Sequence, residues 1–233
     1  MIILFVDSSN KSVSVAILEE KKVLGEFFLD SGLTHSQTLA PMIDSLLKCT
    51  NVSAKNVDLF SAVIGPGSFT GIRIGVSTIN GMALAFQKKC MGMSSLLALT
   101  YNVGEFEGLV CSCIHSREDE VYAGIFEKKS GKINIIIQDR VIKIFDLIKM
   151  IKKYKKKTIF VGSGSLMCYN EAQENFSECI EFLSFHDDVC VRASNAGKAL
   201  FDCVSPGRLV LSDFLEPNYL KLTKAEKDLN ICV

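Results

Sequence analysis

A glycine-rich stretch from Gly65 to Arg73 (GPGSFTGIR) is the most distinctive feature of this sequence. It follows an apolar run and opens a helical pattern, where free backbone N–H groups and the helix dipole can hold an anion. Its spacing matches neither a Walker loop nor a dinucleotide fingerprint. We favour a tight turn that requires glycine, with Ser68 or Thr70 capping the helix, and keep Gly67 and Ser68 as candidate nucleotide contacts.

The three histidines, His35, His115 and His186, do not form a metal-binding pair on one helix. His186 lies close to Asp187, Asp188 and Cys190, but this group falls in a predicted loop, and we favour a solvated turn. No set of nucleophile, base and orienting residue can be assembled by spacing, although a triad scattered along the sequence stays open. We therefore predict no catalytic residue and no bound metal.

Six lysines within residues 149–157, with Tyr154 among them, form the strongest basic run. Such a run could follow an RNA backbone. It could also be a solvated helix end, where positive charge favours the negative end of the helix dipole. We favour the helix end, because 26 basic and 26 acidic residues leave the chain without net charge.

Two predicted helices, residues 36–48 and 72–86, carry more than a core-facing stripe. On the second, a face of small or adaptable residues is formed by Gly71, Gly75, Thr78, Met82 and Ala85. An interior glycine costs a helix about 1 kcal/mol relative to alanine, so we expect Gly75 to let another helix approach closely. That helix is either residues 36–48 of the same chain or one from a partner.

Hydrophobic periodicity divides the chain into two halves of the same design. Each half has the pattern of three strands, a helix, a strand, a glycine turn and a helix. We expect an α/β protein with mixed sheets and two lobes, residues 1–105 and 106–233. A helix near residues 192–204 is expected to pack back on the first lobe, which carries the dimerisation helices.

Composition excludes a disordered chain, because 48% of the residues are hydrophobic and 22% are charged. The longest apolar runs are far below the roughly 18 residues that span a bilayer. The opening MIILFVD has neither the basic region nor the cleavage site of a signal peptide. The nine cysteines form no Cys-x-x-Cys pair. We therefore expect a cytoplasmic protein with reduced thiols and no membrane contact.

The duplicated β-β-β-α-β-α order is typical of the actin-like (ASKHA, ribonuclease H-like) superfamily. In that superfamily the first hairpin cradles phosphate, usually through Asp-x-Gly-x-x. Here the stretch is DSSNKS, residues 7–12, with Ser9 in the place of the glycine. We therefore favour an ordinary turn in which Asp7 and Ser8 bond backbone groups, and keep both residues as candidate phosphate contacts.

Several segments together resemble the bacterial TsaB family, also called YeaZ. They are ILFVDSS at 3–9, HSQ-x-L-x-P-x-I at 35–43, GPGSFTGIRIG at 65–75, NGMALA at 80–85, EVYA at 120–123 and P-x-YLK at 217–221. The matches are spread over nearly the whole chain, and the glycine-rich one is specific. The chain departs from the family at residues 115–117, where His-Ser-Arg replaces the usual Asp-Ala-Arg.

The resemblance implies a non-catalytic subunit required for threonylcarbamoyl transfer to the adenosine beside the tRNA anticodon. It implies a TsaD-type transferase as heterodimer partner, a TsaE-type ATPase that joins them, a homodimer when the chain is alone, and contact with tRNA indirectly through the complex. It implies no intrinsic cofactor, with ATP or ADP only at the interface of the complex. The first-lobe helices form the family's pairing surface, which gives these partner-binding residues: His35, Leu39, Met42, Ile43, Gly71, Gly75, Thr78, Met82 and Ala85.

Two other functions stay open from the sequence. One is an ATP-binding enzyme on the actin-like fold, against which Ser9 argues. The other is a metallopeptidase-like hydrolase, against which the lack of paired metal ligands argues.

Overall fold

The computed structural model describes residues 1–176, 182–184, 190–204 and 211–220. His186, Asp187 and Asp188, considered above as a metal-binding group, and Lys221 of the family match lie outside the described residues.

The first half forms a five-stranded sheet in the order β3-β2-β1-β4-β5. Strands β1 to β3 are an antiparallel meander, and β4 and β5 run parallel to β1. The elements are β1 (Ile2–Asp7), β2 (Val13–Glu19), β3 (Lys22–Leu29), α1 (His35–Thr50), β4 (Leu59–Gly65), α2 (Phe69–Phe86), β5 (Lys89–Ser94) and α3 (Ser95–Thr100).

The second half repeats the design in a five-stranded sheet of order β10-β9-β6-β7-β8. Its elements are β6 (Gly108–Arg117), β7 (Glu120–Lys129), β8 (Lys132–Lys143), α4 (Ile144–Lys152), β9 (Thr158–Val161), α5 (Ser165–Phe176), β10 (Phe182–Ser184) and α6 (Ala193–Val204). Each half thus has three meandering strands, a helix, a parallel strand and a helix. This is the actin-like α/β fold with mixed sheets, and the prediction of fold class is confirmed.

The two sheets and three helical layers alternate, because the central strands are apolar on both faces. In β1, Leu4 and Val6 face α1 and α2, whereas Ile3 and Phe5 face α3 and α6. The layer of α3 and α6 lies between the two sheets, and α4 and α5 cover the outer face of the second sheet. Helices α1 and α2 are therefore one outermost layer of the molecule, and α4 and α5 are the other.

Helix α6 packs on the first sheet although it follows the second sheet in sequence. The Ala193 N–H donates to Ser14 Oγ (3.0 Å), and the Ser194 N–H donates to Glu26 Oε1 (3.1 Å). Gly197 brings the helix so close that an added Cβ would lie 2.4 Å from a methyl carbon of Leu18. Because the central core draws side chains from both halves, the division at residues 105 and 106 stays a prediction.

Within the described ranges, no helix is both long and apolar enough to cross a bilayer. Six cysteines in these ranges carry free thiols, as expected from the sequence: Cys49, Cys90, Cys111, Cys113, Cys168 and Cys190.

Candidate functional site

The glycine-rich loop joins β4 to α2 as a self-capped turn. Ser68 Oγ accepts the Gly71 N–H (3.2 Å), which confirms the predicted serine cap. The Ser68 N–H donates to the carbonyl oxygen of Ser9 (2.7 Å). Gly65 has φ of +114°, a backbone conformation that glycine adopts readily and other residues do not. The N–H groups of Ser68 and Gly71, which an anion at this helix terminus would need as donors, are therefore already bonded within the chain.

The turn between β1 and β2 packs directly on this loop. Asp7 Oδ1 accepts the Ser9 N–H (3.0 Å), so Asp7 stabilises its own turn, as predicted. Ser8 does not bond its own turn as expected, because its Oγ reaches across to donate to the Gly71 carbonyl oxygen (2.8 Å).

Asp7 is fully buried behind this turn. Burial raises the pKa of its carboxyl from 3.8 to about 6, and the bonds to Ser9 and the nearby His35 oppose that rise. Its second oxygen, Oδ2, has no hydrogen-bond partner among the described residues.

A cleft of about 440 Å³ lies between the two halves, beside these loops. Residues of both halves line it: Ser9, Asn10, Lys11, His35, Gly67, Ser68, Ile114, His115, Ser116, Tyr122 and Ser163. The lining contains one lysine and two histidines but no carboxylate, so it favours anions over metal ions. Over the described parts of the chain, no three His, Cys, Asp or Glu side chains are grouped closely enough to hold a metal.

Four residues predicted to bind a partner are instead buried within the chain. Leu39 and Ile43 belong to the core between α1 and the first sheet. A Cβ at Gly71 would lie 2.0 Å from the Ser8 carbonyl oxygen, and one at Gly75 would lie 2.4 Å from Ser8 Oγ. The expectation that Gly75 admits another helix is therefore wrong, because the end of β1 takes that space.

The other predicted partner residues reach the surface. His35 is half-buried beside the cleft, where its Nε2 is 2.7 Å from the Asn10 carbonyl oxygen. Met42 on α1 and Thr78 and Met82 on α2 are half-buried, and Ala85 is exposed. Leu84, beside Ala85, is 80% exposed. We call the side of α1 and α2 that carries Met42, Thr78, Met82, Leu84 and Ala85 the outer face.

Comparison with known proteins identifies the chain's family. A family model for TsaD, tRNA N6-adenosine threonylcarbamoyltransferase, matches residues 30–201. The tRNA threonylcarbamoyladenosine biosynthesis protein TsaB of Bacillus subtilis is 30% identical over 162 residues, 70% of this chain and 71% of that protein. Escherichia coli TsaB is 30% identical over 135 residues, 57% of this chain and 58% of that protein. The chain belongs to this TsaD-related family, and within it to TsaB.

A solved protein has the same fold as this chain. A Pseudomonas aeruginosa protein described as similar to the peptidase YeaZ superposes with a TM-score of 0.78, at 23% identity, and covers 94% of this chain and 99% of its own. His115, which replaces an aspartate usual in the TsaB family, lies exposed at the end of β6. Its backbone N–H donates to Ser163 Oγ (3.2 Å) at the wall of the cleft. His115 therefore places a histidine at the wall of the cleft in the second half of the chain.

The segment 211–220 lies against α2, a contact that sequence reasoning missed. Asn80 donates through Nδ2 to the Leu215 carbonyl oxygen (3.0 Å) and accepts the Leu215 N–H through Oδ1 (2.8 Å). The Phe69 and Tyr219 rings stack at 4.7 Å, and Arg73 Nε donates to the Tyr219 hydroxyl (2.8 Å). The signal in the sequence is Asn80 itself, since a polar residue on an apolar helix face needs a partner.

Proposed function

We propose that this chain is a non-catalytic subunit that binds a TsaD-type transferase through the outer face of α1 and α2. Membership of the TsaB family gives it a role in tRNA threonylcarbamoyladenosine biosynthesis. The observation that carries the proposal is the packing of Ser8 and Ser9 against the glycine-rich loop. Ser8 and Ser9 hold the first hairpin on the start of α2 through hydrogen bonds within the chain, whereas the first helices present apolar side chains to solvent.

The chemistry of the cleft supports a role without catalysis. Its lining offers no carboxylate to act as a general base or to hold a metal. The buried carboxyl nearby, that of Asp7, has a raised pKa and already accepts a bond from Ser9. The hydrogen bond that joins His115 to Ser163 in this lining comes from the His115 backbone N–H, so it does not place the imidazole as a base on the Ser163 hydroxyl.

The outer face suits a protein partner because its side chains are apolar or small and lie along two packed helices. Leu84 is 80% exposed, and Met42 and Met82 are half-buried. Methionine adapts its shape to different partners. The same face would serve a homodimer, so homodimer and heterodimer would exclude each other. A TsaE-type ATPase, tRNA bound through the complex, and ATP or ADP at the interface complete the proposed assembly.

An Ala85→Arg substitution tests the proposal. Ala85 is exposed, so the change should leave the melting temperature unchanged while placing a charge in the apolar interface. We expect at least a tenfold loss of affinity for the purified TsaD-type protein of the same organism, measured by biolayer interferometry. Gln173→Arg, at an exposed position of α5, is the matched control and should bind as the wild type does.

Equal affinity of the Ala85→Arg variant and the wild type would remove the assigned surface. The alternative of an ATP-dependent enzyme is tested by adding ATP to the isolated chain. Lys11, His35 and His115 in the cleft favour an anion, so this alternative has a specific observation behind it. Micromolar ATP affinity together with turnover would replace the subunit role with an enzymatic one, and we expect neither.

A further inference from the structure

The lysine run at residues 149–157 extends well beyond the end of a helix. Helix α4 ends at Lys152, so only Lys149 and Lys152 lie in its last turn. The four lysines that follow, at positions 153, 155, 156 and 157, are exposed beyond the helix. The helix dipole acts within the last turn and therefore cannot account for these four charges.

The fold brings a second basic segment to the same edge of the second sheet. The Leu109 N–H donates to the Lys157 carbonyl oxygen (2.8 Å), and Gly108 pairs with Lys128 across β6 and β7. The turn between β7 and β8 therefore lies near the lysine run. Lys129 ends β7 and Lys132 begins β8, and the two residues lie opposite each other in the strand register. Eight lysines form this basic edge: Lys129, Lys132, Lys149, Lys152, Lys153, Lys155, Lys156 and Lys157.

The acidic residues at this edge neutralise only part of its charge. Glu127 pairs with Lys156. Glu107 accepts the Ser130 N–H (3.0 Å), and Glu105 lies near Lys128. Lys128 is outside the basic edge, because its Nζ donates to the carbonyl oxygens of Val103 and Gly104. Eight lysines against these three glutamates leave the edge with an excess of basic residues, in a chain whose total formal charge is zero.

The chemistry of the basic edge favours RNA over a membrane. Tyr154 is 38% exposed among the lysines, where its ring can stack on a base. A membrane-binding basic helix would need an exposed apolar face. The apolar face of α4, formed by Ile144, Leu147, Ile148 and Ile151, is instead buried against the second sheet.

We propose that the basic edge binds the phosphate backbone of the tRNA that the complex modifies. This inference rests on the proposed function for the choice of tRNA among RNAs. The basic edge belongs to the layer of α4 and to the end of β6 opposite the cleft, whereas the outer face belongs to the layer of α1 and α2. The transferase and the RNA therefore occupy opposite sides of this subunit and can bind together.

Neutralising three lysines of the basic edge tests the proposal. The variant combines Lys149→Gln, Lys153→Gln and Lys155→Gln, and is compared with the wild type as a complex with the TsaD-type protein. We expect the affinity for unmodified tRNA transcript to fall more than tenfold at 0.1 M salt. The slope of log affinity against log salt should become shallower by about 2, because each phosphate contact contributes roughly 0.7–0.9.

A second variant controls for the loss of charge alone. It combines Lys22→Gln, Lys55→Gln and Lys198→Gln, three exposed lysines outside the basic edge. This control removes the same charge and should keep the wild-type affinity and slope. In addition, bound tRNA should protect Lys153 and Lys155 from acetylation, read by mass spectrometry, while Lys22 and Lys55 stay reactive.

The outcomes separate this proposal from the proposed function. Wild-type tRNA affinity of the basic-edge variant would overturn the RNA surface, and so would equal losses in both triple variants. Binding of the wild type to anionic phospholipid vesicles but not to tRNA would also overturn it. Loss of tRNA affinity in the basic-edge variant, while the variant still binds the transferase, would support the RNA surface. Ala85→Arg tests the transferase surface independently of all these results.

Discussion

Three glycines on α2 should respond in three different ways to alanine, because their surroundings differ. A Cβ at Gly71 would lie 2.0 Å from the Ser8 carbonyl oxygen, which belongs to the backbone and cannot rotate away. At Gly75 the obstacle, 2.4 Å away, is Ser8 Oγ, which can rotate. At Gly81 no atom lies within 4 Å. From these distances we expect Gly81→Ala to be the most stable of the three variants, Gly75→Ala to be intermediate and Gly71→Ala to be the least stable.

The magnitudes follow from what has to move. Gly71→Ala forces the turn between β1 and β2 off α2, and overpacking of this kind costs about 3 kcal/mol or more. Gly75→Ala displaces the Ser8 hydroxyl from its bond to the Gly71 carbonyl and leaves it buried, at a cost of about 2 kcal/mol. Improved helix propensity returns about 1 kcal/mol, so the net loss is about 1 kcal/mol. Gly81→Ala should stabilise the protein by about 1 kcal/mol.

A double-mutant cycle identifies Ser8 as the obstacle at Gly75. Once Ser8→Ala removes the hydroxyl, the nearest atoms to the new Cβ are Ser8 Cβ at 3.7 Å and a Val6 methyl at 3.9 Å, which are ordinary contacts. In that background Gly75→Ala should stabilise by about 1 kcal/mol instead of destabilising. The coupling energy between the two substitutions is therefore about 2 kcal/mol. Gly71→Ala should not be rescued by Ser8→Ala, since its obstacle is backbone.

The assay is urea unfolding followed by far-ultraviolet circular dichroism, since the chain contains no tryptophan. Affinity for the TsaD-type protein is measured on the same variants. A coupling energy near zero would show that Ser8 does not fill the space beside Gly75. If Gly75→Ala no longer bound the TsaD-type protein but kept the wild-type stability, the result would instead indicate that a helix of the partner packs against this glycine.

Three further predictions concern Asp7, Asn80 and Tyr219. Burial raises the pKa of Asp7 to about 6, so stability present below pH 4 is lost as the pH rises through 6. The free energy of unfolding of Asp7→Asn, measured in urea, should therefore rise relative to that of the wild type by up to about 3 kcal/mol between pH 4 and pH 7.5. A difference that stays constant over this pH range would contradict the prediction. Asn80→Ala leaves two backbone groups of Leu215 without partners and should cost about 2–4 kcal/mol. It should also make the segment 211–220 susceptible to limited proteolysis, and resistance equal to the wild type would exclude this anchor. Tyr219→Phe keeps the stacking on Phe69 and should cost less than Tyr219→Ala in the same unfolding assay.

Local patterns predicted the elements of this fold well, because short-range periodicity decides them. The apolar run Val57–Ile64 by itself predicts a buried strand, and it contains most of β4, Leu59–Gly65. The serine cap of α2 was also predictable, since a cap depends on residues three positions apart. The β8 strand extends to Lys143, although the β-rich run in the sequence, Ile133–Gln138, predicts an end five residues earlier. Its last residues pair with β7, and this pairing is not visible in their own hydropathy.

Features that depend on distant segments could not be predicted in the same way. A glycine on a helix shows that something comes close, but not what it is. For Gly75 that neighbour is Ser8, which precedes it by 67 positions, rather than another helix. The lysine run was interpreted as a helix end because its neighbours in sequence are helical. The sheet brings Lys129 and Lys132 to the same edge, which only strand pairing reveals.

The packing of the first hairpin on α2 also bears on the surface that we propose for partner binding. Ser8 bonds Gly71 and Ser9 bonds Ser68, so hydrogen bonds within the chain join the hairpin to the start of α2. Helix α2 is therefore fixed on β1 before any partner arrives. A preordered surface loses less conformational entropy on binding, so Met82 and Ala85 can present the outer face without a bound nucleotide.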